Sequence, residues 1–172
     1  MNKKIFTDND YNSSDGMLTS IWGPSLWHTL HTISFNYPIK PTKKDKENYY
    51  NFIISLEHVL PCKYCRDNYK NNLKNLKFSK KIFKNRDTFS LFIYNLHEEV
   101  NYMLGKQSGL TYENIKYRYE HFRSRCLNDK KYNSKILENG CVDSLYGKKS
   151  KCVMKIVPKS SKIQTFKMSE KC

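Results

Sequence analysis

The sequence predicts an all-α fold: a four-helix bundle with a short fifth helix, followed by a largely irregular C-terminal tail. Three observations carry that prediction. Residues 49–60 and 89–104 hold apolar stripes with the 3.6-residue period of half-buried helices. Pro61 precedes the pair Cys62-x-x-Cys65, and its fixed φ suits entry into a helix. No strand-like alternation of useful length occurs before residue 140.

A chain of 172 residues is long enough for one domain with a proper core, and 14% aromatic content supplies bulky core material despite only 38% hydrophobic residues. The net charge of +15 raises the question of an anionic partner. The excess is mostly lysine scattered among Asn, Tyr and Ile, with no dense block and no interleaved stacking aromatics, so a nucleic-acid partner is not expected. The opening Met1-Asn2-Lys3-Lys4-Ile5-Phe6-Thr7-Asp8 lacks the apolar core of a signal peptide, and no apolar run approaches the ~20 residues of a membrane helix. An intracellular protein without a membrane span is the expectation. In such a reducing setting the six cysteines are expected to be catalytic or metal-bound rather than a secreted scaffold.

In chain order, residues 1–18 are polar and read as a disordered leader, 19–126 as the helical domain and 127–172 as a basic tail containing cysteines. Pro24 is placed as the first residue of a helix that ends by Tyr37-Pro38, with Trp27, Leu30, His31 and Ser34 on one face. Thr42 and Asp45 form a capping box for the next helix, whose stripe is Tyr49, Phe52, Ile53, Leu56, Val59 and Leu60. The helix opened by Pro61 runs through Tyr69 and Leu73 to about Leu76, and 77–86 is a basic loop. Asp87-Thr88 caps a fourth helix with the stripe Phe89, Phe92, Ile93, Leu96, Val100, Met103 and Leu104, and Gly105 is its terminator. Thr111 caps a fifth helix through Tyr117, Tyr119 and Phe122 towards Cys126. Cys152 to Pro158 is a candidate short strand.

Two pairs border these stripes at i,i+4 spacing: Trp27 with His31, and His97 with Asn101. Alone, each is more often core packing or a satisfied polar pair than a cofactor site. The two thiols at a helix start also have two readings. The positive helix end favours a reactive thiolate, which suits redox chemistry. Half of a zinc site is the other.

Together the pieces resemble the Erv/ALR family of FAD-linked sulfhydryl oxidases, most closely the forms encoded by large DNA viruses. The resemblance spans about residues 20–126 and rests on three motifs in the family's order. They are Trp22-Gly23 through Trp27-x-x-x-His31 with Tyr37-Pro38, then Pro61-Cys62-x-x-Cys65, then His97-x-x-Val100-Asn101-x-x-Leu104-Gly105-Lys106. It implies a bundle that binds FAD through Trp22, Gly23, Trp27, His31, Cys65, His97, Asn101 and Lys106, with Tyr117 as a looser match. It further implies catalysis by Cys62, which meets substrate thiols, and Cys65, which lies beside the flavin. Two electrons would pass through FAD to O2 and give hydrogen peroxide, leaving disulfides in protein substrates. A homodimer across the first two helices, and a location in the host cytoplasm or the virion of a large DNA virus, are the remaining implications.

The chain departs from the family pattern in several places. Glu98 follows the motif histidine where many members have asparagine, and Tyr94 stands where a cysteine is often found. No cysteine lies between Cys65 and Cys126 to form the cellular members' long-range staple, and there is no second CxxC for a shuttle. Cys141 and Cys152 are then either a shuttle or a static clip, with the clip preferred, and Cys126 reads as a buried free thiol. Cys172 has no reading. The rival to the oxidase is a zinc-binding basic module contacting nucleic acid, with Cys62, Cys65, His121 and Cys126 as ligands. A purely structural helical partner with an incidental CxxC is a third reading.

Overall fold

The computed structural model describes residues 6–13, 15–125, 141, 143–145 and 150–163. They fall into two units, Met1–Ser108 and Gly109–Cys172.

Side-chain caps set most of the helix starts in the first unit. Thr7 and Asp10 close a capping box on α1 (Asp8–Tyr11), and Thr42 and Asp45 do the same for α3 (Lys43–Val59). Between them runs α2 (Thr19–Asn36), which ends at Tyr37. Cys62 is the N-cap of α4 (Lys63–Asn75), and Asn85 that of α5 (Arg86–Met103). A 3-10 turn, Lys80–Lys84, joins the last two helices. At the end of α5, Gly105 adopts φ 63°, its N–H donates to the Tyr102 carbonyl, and the Lys106 N–H donates to the Asn101 carbonyl. That is a Schellman closure, which needs a left-handed residue and so favours glycine.

The four long helices pack as α2 on α5 and α3 on α4, with α4 also meeting α5 and the 3-10 turn wedged against α3 and α5. Leu30, Ile53, Leu56, Leu73, Phe89, Ile93 and Leu96 fill the centre. At one end Tyr37, Tyr49, Phe83 and Phe89 form an edge-to-face cluster, with Tyr37–Tyr49 centroids 4.6 Å apart and Tyr37–Phe89 centroids 5.2 Å apart. Such pairs add to the burial of their area. The buried Tyr37 hydroxyl donates to the Phe83 carbonyl at 3.0 Å, and the Tyr69 hydroxyl donates to the Ile53 carbonyl at 2.9 Å. Each phenol thus crosses between elements while satisfying its own polar group. The predicted all-α bundle is the observed one.

Boundaries and loops differ from expectation in instructive ways. The leader contains α1, because Thr7 and Asp10 bond each other's backbone, and Gly16 pairs with Cys62. Helix α2 begins at Thr19, so Pro24 lies inside it rather than at its first position. Proline removes one helical hydrogen bond there; the turn before it is held by Ile21 N–H to Leu18 C=O and by Trp22 Nε1 to the Met17 carbonyl. Pro61 likewise stands just outside α4, with Cys62 as the cap. Asn85, not Asp87-Thr88, caps α5, because its side chain reaches the Thr88 N–H while Thr88 Oγ1 returns to the Asn85 N–H. The basic loop at 77–86 holds the 3-10 turn because fully buried Phe83 draws it onto the core.

In the second unit Thr111 and Asn114 cap α6 (Tyr112–Glu120) reciprocally, and Tyr119 is buried with its ring edge-on to Phe122 at 5.5 Å. The helix stops at Glu120 rather than continuing towards Cys126. Arg123 pairs with Glu120. Strands β1 (Ser124–Arg125) and β2 (Asp143–Ser144) then pair antiparallel, Ser124 opposite Ser144. Cys152 to Pro158 is irregular rather than a strand. Cys141 is disulfide-bonded whereas Cys152 is an exposed free thiol, so the preferred Cys141–Cys152 clip does not exist. Cys126 and Cys172 lie outside the described residues. Among the described residues no helix is long and apolar enough to cross a membrane.

Candidate functional site

Cys62 and Cys65 are joined in a disulfide whose Cα atoms stand 5.1 Å apart, within the range such a bond spans without backbone movement. The i,i+3 spacing at a helix start creates that proximity. Cys62 is extended as the N-cap, and its sulfur accepts the Cys65 N–H at 3.2 Å. Cys65 sits one turn on and packs against the apolar core, whereas Cys62 does not. The Arg66 guanidinium donates to the Leu60 carbonyl at 2.7 Å and ties the turn down.

The chain ahead of α2 lies across this pair. Gly16 bridges Cys62 antiparallel, and the Met17 N–H donates to the Pro61 carbonyl at 2.6 Å. Gly16 has φ 85°, and a Cβ there would overlap the Pro61 carbonyl oxygen, so only glycine fits this approach. Three residues on, Thr19 Oγ1 lies 3.7 Å from Cys65 Sγ. Trp22 and Gly23 follow on the same helix, with Trp22 half-buried against the core and Gly23 buried.

Further along α2, Trp27 and His31 meet α5. The Trp27 and His97 rings stack with centroids 4.1 Å apart and planes 7° apart. His31 Nε2 and His97 Nδ1 are 3.0 Å apart and hydrogen-bonded. One nitrogen must donate and the other accept, so the contact cannot hold two doubly protonated imidazoles. Burial pushes the His31 imidazole down to about 3, with the His97 and His28 charges adding to it. Burial also dominates for His97, lowered to about 4, where Glu98 opposes the shift and Lys106 adds to it. Near neutral pH this is an uncharged, flat cluster of one indole and two imidazoles. Such a surface suits a planar heteroaromatic ring that needs stacking and a few directed hydrogen bonds. The set therefore fits the isoalloxazine of FAD.

The tertiary contacts re-pair the residues that sequence spacing had grouped. His97 bonds His31, and the Asn101 amide donates to Glu98 Oε1 at 3.0 Å, so His97 and Asn101 are not partners of each other. Lys106 is exposed and reaches His97 through its field alone. Tyr117 belongs to the second unit, where it is 67% exposed and its ring lies 4.3 Å from that of His121. Gly16 and Thr19 were missed by sequence reasoning. The polar run Ser13-Ser14-Asp15-Gly16 signals a turn, yet nothing in it points to a cysteine 46 residues away. The zinc reading finds no support, because both thiols are consumed in a disulfide. No group of three metal-ligating side chains occurs among the described residues.

Comparisons with known proteins point to one family. The model of the Erv1/Alr family matches residues 24–120, more than half of the chain. A probable FAD-linked sulfhydryl oxidase of Acanthamoeba polyphaga mimivirus is 37% identical over 53% of this chain, and the match spans 63% of that protein's length. A putative FAD-linked sulfhydryl oxidase of Invertebrate iridescent virus 6 is 34% identical over 50% of this chain and 81% of its own. The yeast Erv1 core shares the fold, with a TM-score of 0.55 at 22% identity over 62% of this chain and 86% of that one. Matched by the family model over more than half of its length, this chain belongs to the Erv1/Alr family.

Proposed function

We propose that the chain is an FAD-linked sulfhydryl oxidase that forms disulfides in protein thiols, uses Cys62–Cys65 as its redox centre and passes electrons to O2 to give hydrogen peroxide. The observation that carries this reading is a disulfide at a helix N-terminus in contact with α2, the helix whose Trp27 and His31 form a ring cluster with His97 of α5. Family membership and the names of the viral relatives support it.

Trp27, His31 and His97 would hold the flavin ring, with Trp22, Gly23, Asn101 and Lys106 completing the FAD site. Bound FAD would supply a two-electron acceptor that takes electrons from the dithiol and delivers them to O2. The protein's own steps begin when a substrate thiolate attacks Cys62 Sγ. The Cys62–Cys65 bond breaks, and its electron pair leaves on Cys65. A second substrate thiolate then attacks the substrate sulfur of the mixed disulfide and releases Cys62. The α4 N-terminus stabilises both thiolates through its free N–H groups. Cys65, the inward sulfur, is the one placed to hand electrons on. A homodimer across α2 and α3, and an origin in a large DNA virus, complete the proposal; they rest on the resemblance and on the viral relatives.

Purified full-length protein should be yellow, with absorbance near ~450 nm from oxidised flavin. It should make peroxide when given a reduced protein substrate. Cys65→Ser should keep the colour and lose thiol-driven peroxide production. Turnover retained in that variant, or a colourless wild type, overturns the assignment.

A further inference from the structure

We infer that Thr19 is a further catalytic residue, whose hydroxyl holds the Cys65 sulfur as the leaving group when a substrate thiol opens the Cys62–Cys65 disulfide. The inference rests on the proposed oxidase chemistry and deepens it. A disulfide sulfur carries no hydrogen, so across the 3.7 Å Thr19 Oγ1–Cys65 Sγ contact the hydroxyl must be the donor. Among the described residues, no other side chain is hydrogen-bonded to that sulfur. Cys62 is served differently, by the Cys65 main-chain N–H at 3.2 Å, which no substitution can remove.

The reaction puts charge where Thr19 points. Substrate RS⁻ forms a bond to Cys62 Sγ, and the old S–S electron pair moves onto Cys65 Sγ. Thr19 keeps its proton and donates a hydrogen bond that strengthens as the sulfur becomes anionic. Better-stabilised leaving thiolates depart faster, so the hydroxyl speeds attack at Cys62 and favours the reduced pair at equilibrium. Thr19 is free for this work because it caps nothing. The N-cap of α2 is Leu18, without a side-chain hydrogen bond, and the Thr19 methyl lies over Gly23. Valine keeps that branched shape and removes only the donor. Because Thr19 is exposed, water replaces part of the lost bond, and the effect is a few-fold.

The test compares full-length holoprotein of wild type, Thr19→Val and Thr19→Ser. Stopped flow with dithiothreitol reads the opening of the disulfide. Glutathione redox buffers, followed by alkylation and mass spectrometry, read the Cys62–Cys65 equilibrium. Thr19→Val should slow opening about threefold and lower the equilibrium constant for reduction by a similar factor, while Thr19→Ser stays near wild type. Val equal to wild type, or Ser as impaired as Val, overturns the role of the hydroxyl and leaves the oxidase reading intact. A wild-type Cys62–Cys65 pair that neither thiol can reduce overturns the oxidase reading, and this inference with it.

Discussion

The neutral His31–His97 pair makes the protein's stability fall on mild acidification, by an amount that follows from its geometry. Both imidazoles sit below the ordinary value of 6.5, at about 3 and about 4, chiefly because burial disfavours the charged form. The unfolded chain takes up a proton on each histidine as pH drops through 6.5, while the folded chain takes up none until about pH 4. Stability is therefore full above the unfolded value and is lost as pH falls towards the folded ones. Between about pH 7.5 and about pH 5.5 each histidine removes about 1.4 kcal/mol, and the pair about 2.7 kcal/mol. Asp10 and Asp45 are lowered by their capping hydrogen bonds from 3.8, so their contribution is lost only at more acid pH. Urea unfolding followed by tryptophan fluorescence at several pH values measures the slope. His97→Gln should cut that slope by about half, whatever the variant's absolute stability, since His31 stays buried. Stability that is flat or rising from about pH 7.5 to about pH 5.5, or a slope unchanged in His97→Gln, refutes the reasoning.

Other perturbations test the scaffold around the site. Tyr37→Phe leaves the buried Phe83 carbonyl without its 3.0 Å donor and should cost about 1–3 kcal/mol in urea unfolding. Gly16→Ala meets both a left-handed φ and the Pro61 carbonyl, so the segment before α2 should detach from Cys62. Limited proteolysis should then cut residues 6–18 faster than in wild type, with helicity by circular dichroism unchanged. Asn85→Ala removes the reciprocal cap of α5 and should lower stability by about 1 kcal/mol.

What the sequence settled by itself was local. Helical periodicity, the Thr42 and Thr111 caps, the Gly105 terminator and the Cys62–Cys65 spacing all depend on groups three to six residues apart, so they can be read along one strand of text. The family motifs marked Trp27, His31, His97 and Asn101 as site residues but not their mutual bonds. Only helix packing decides those. The approach of α2 to α5 brings His31 to His97 across 66 residues and leaves Asn101 to Glu98. The passage of the chain before α2 over the α4 N-terminus sets Gly16 against Cys62 and Thr19 against Cys65 across 46 residues. A helix face advertises what it will bury, whereas the partner it meets is chosen by the whole core closing at once.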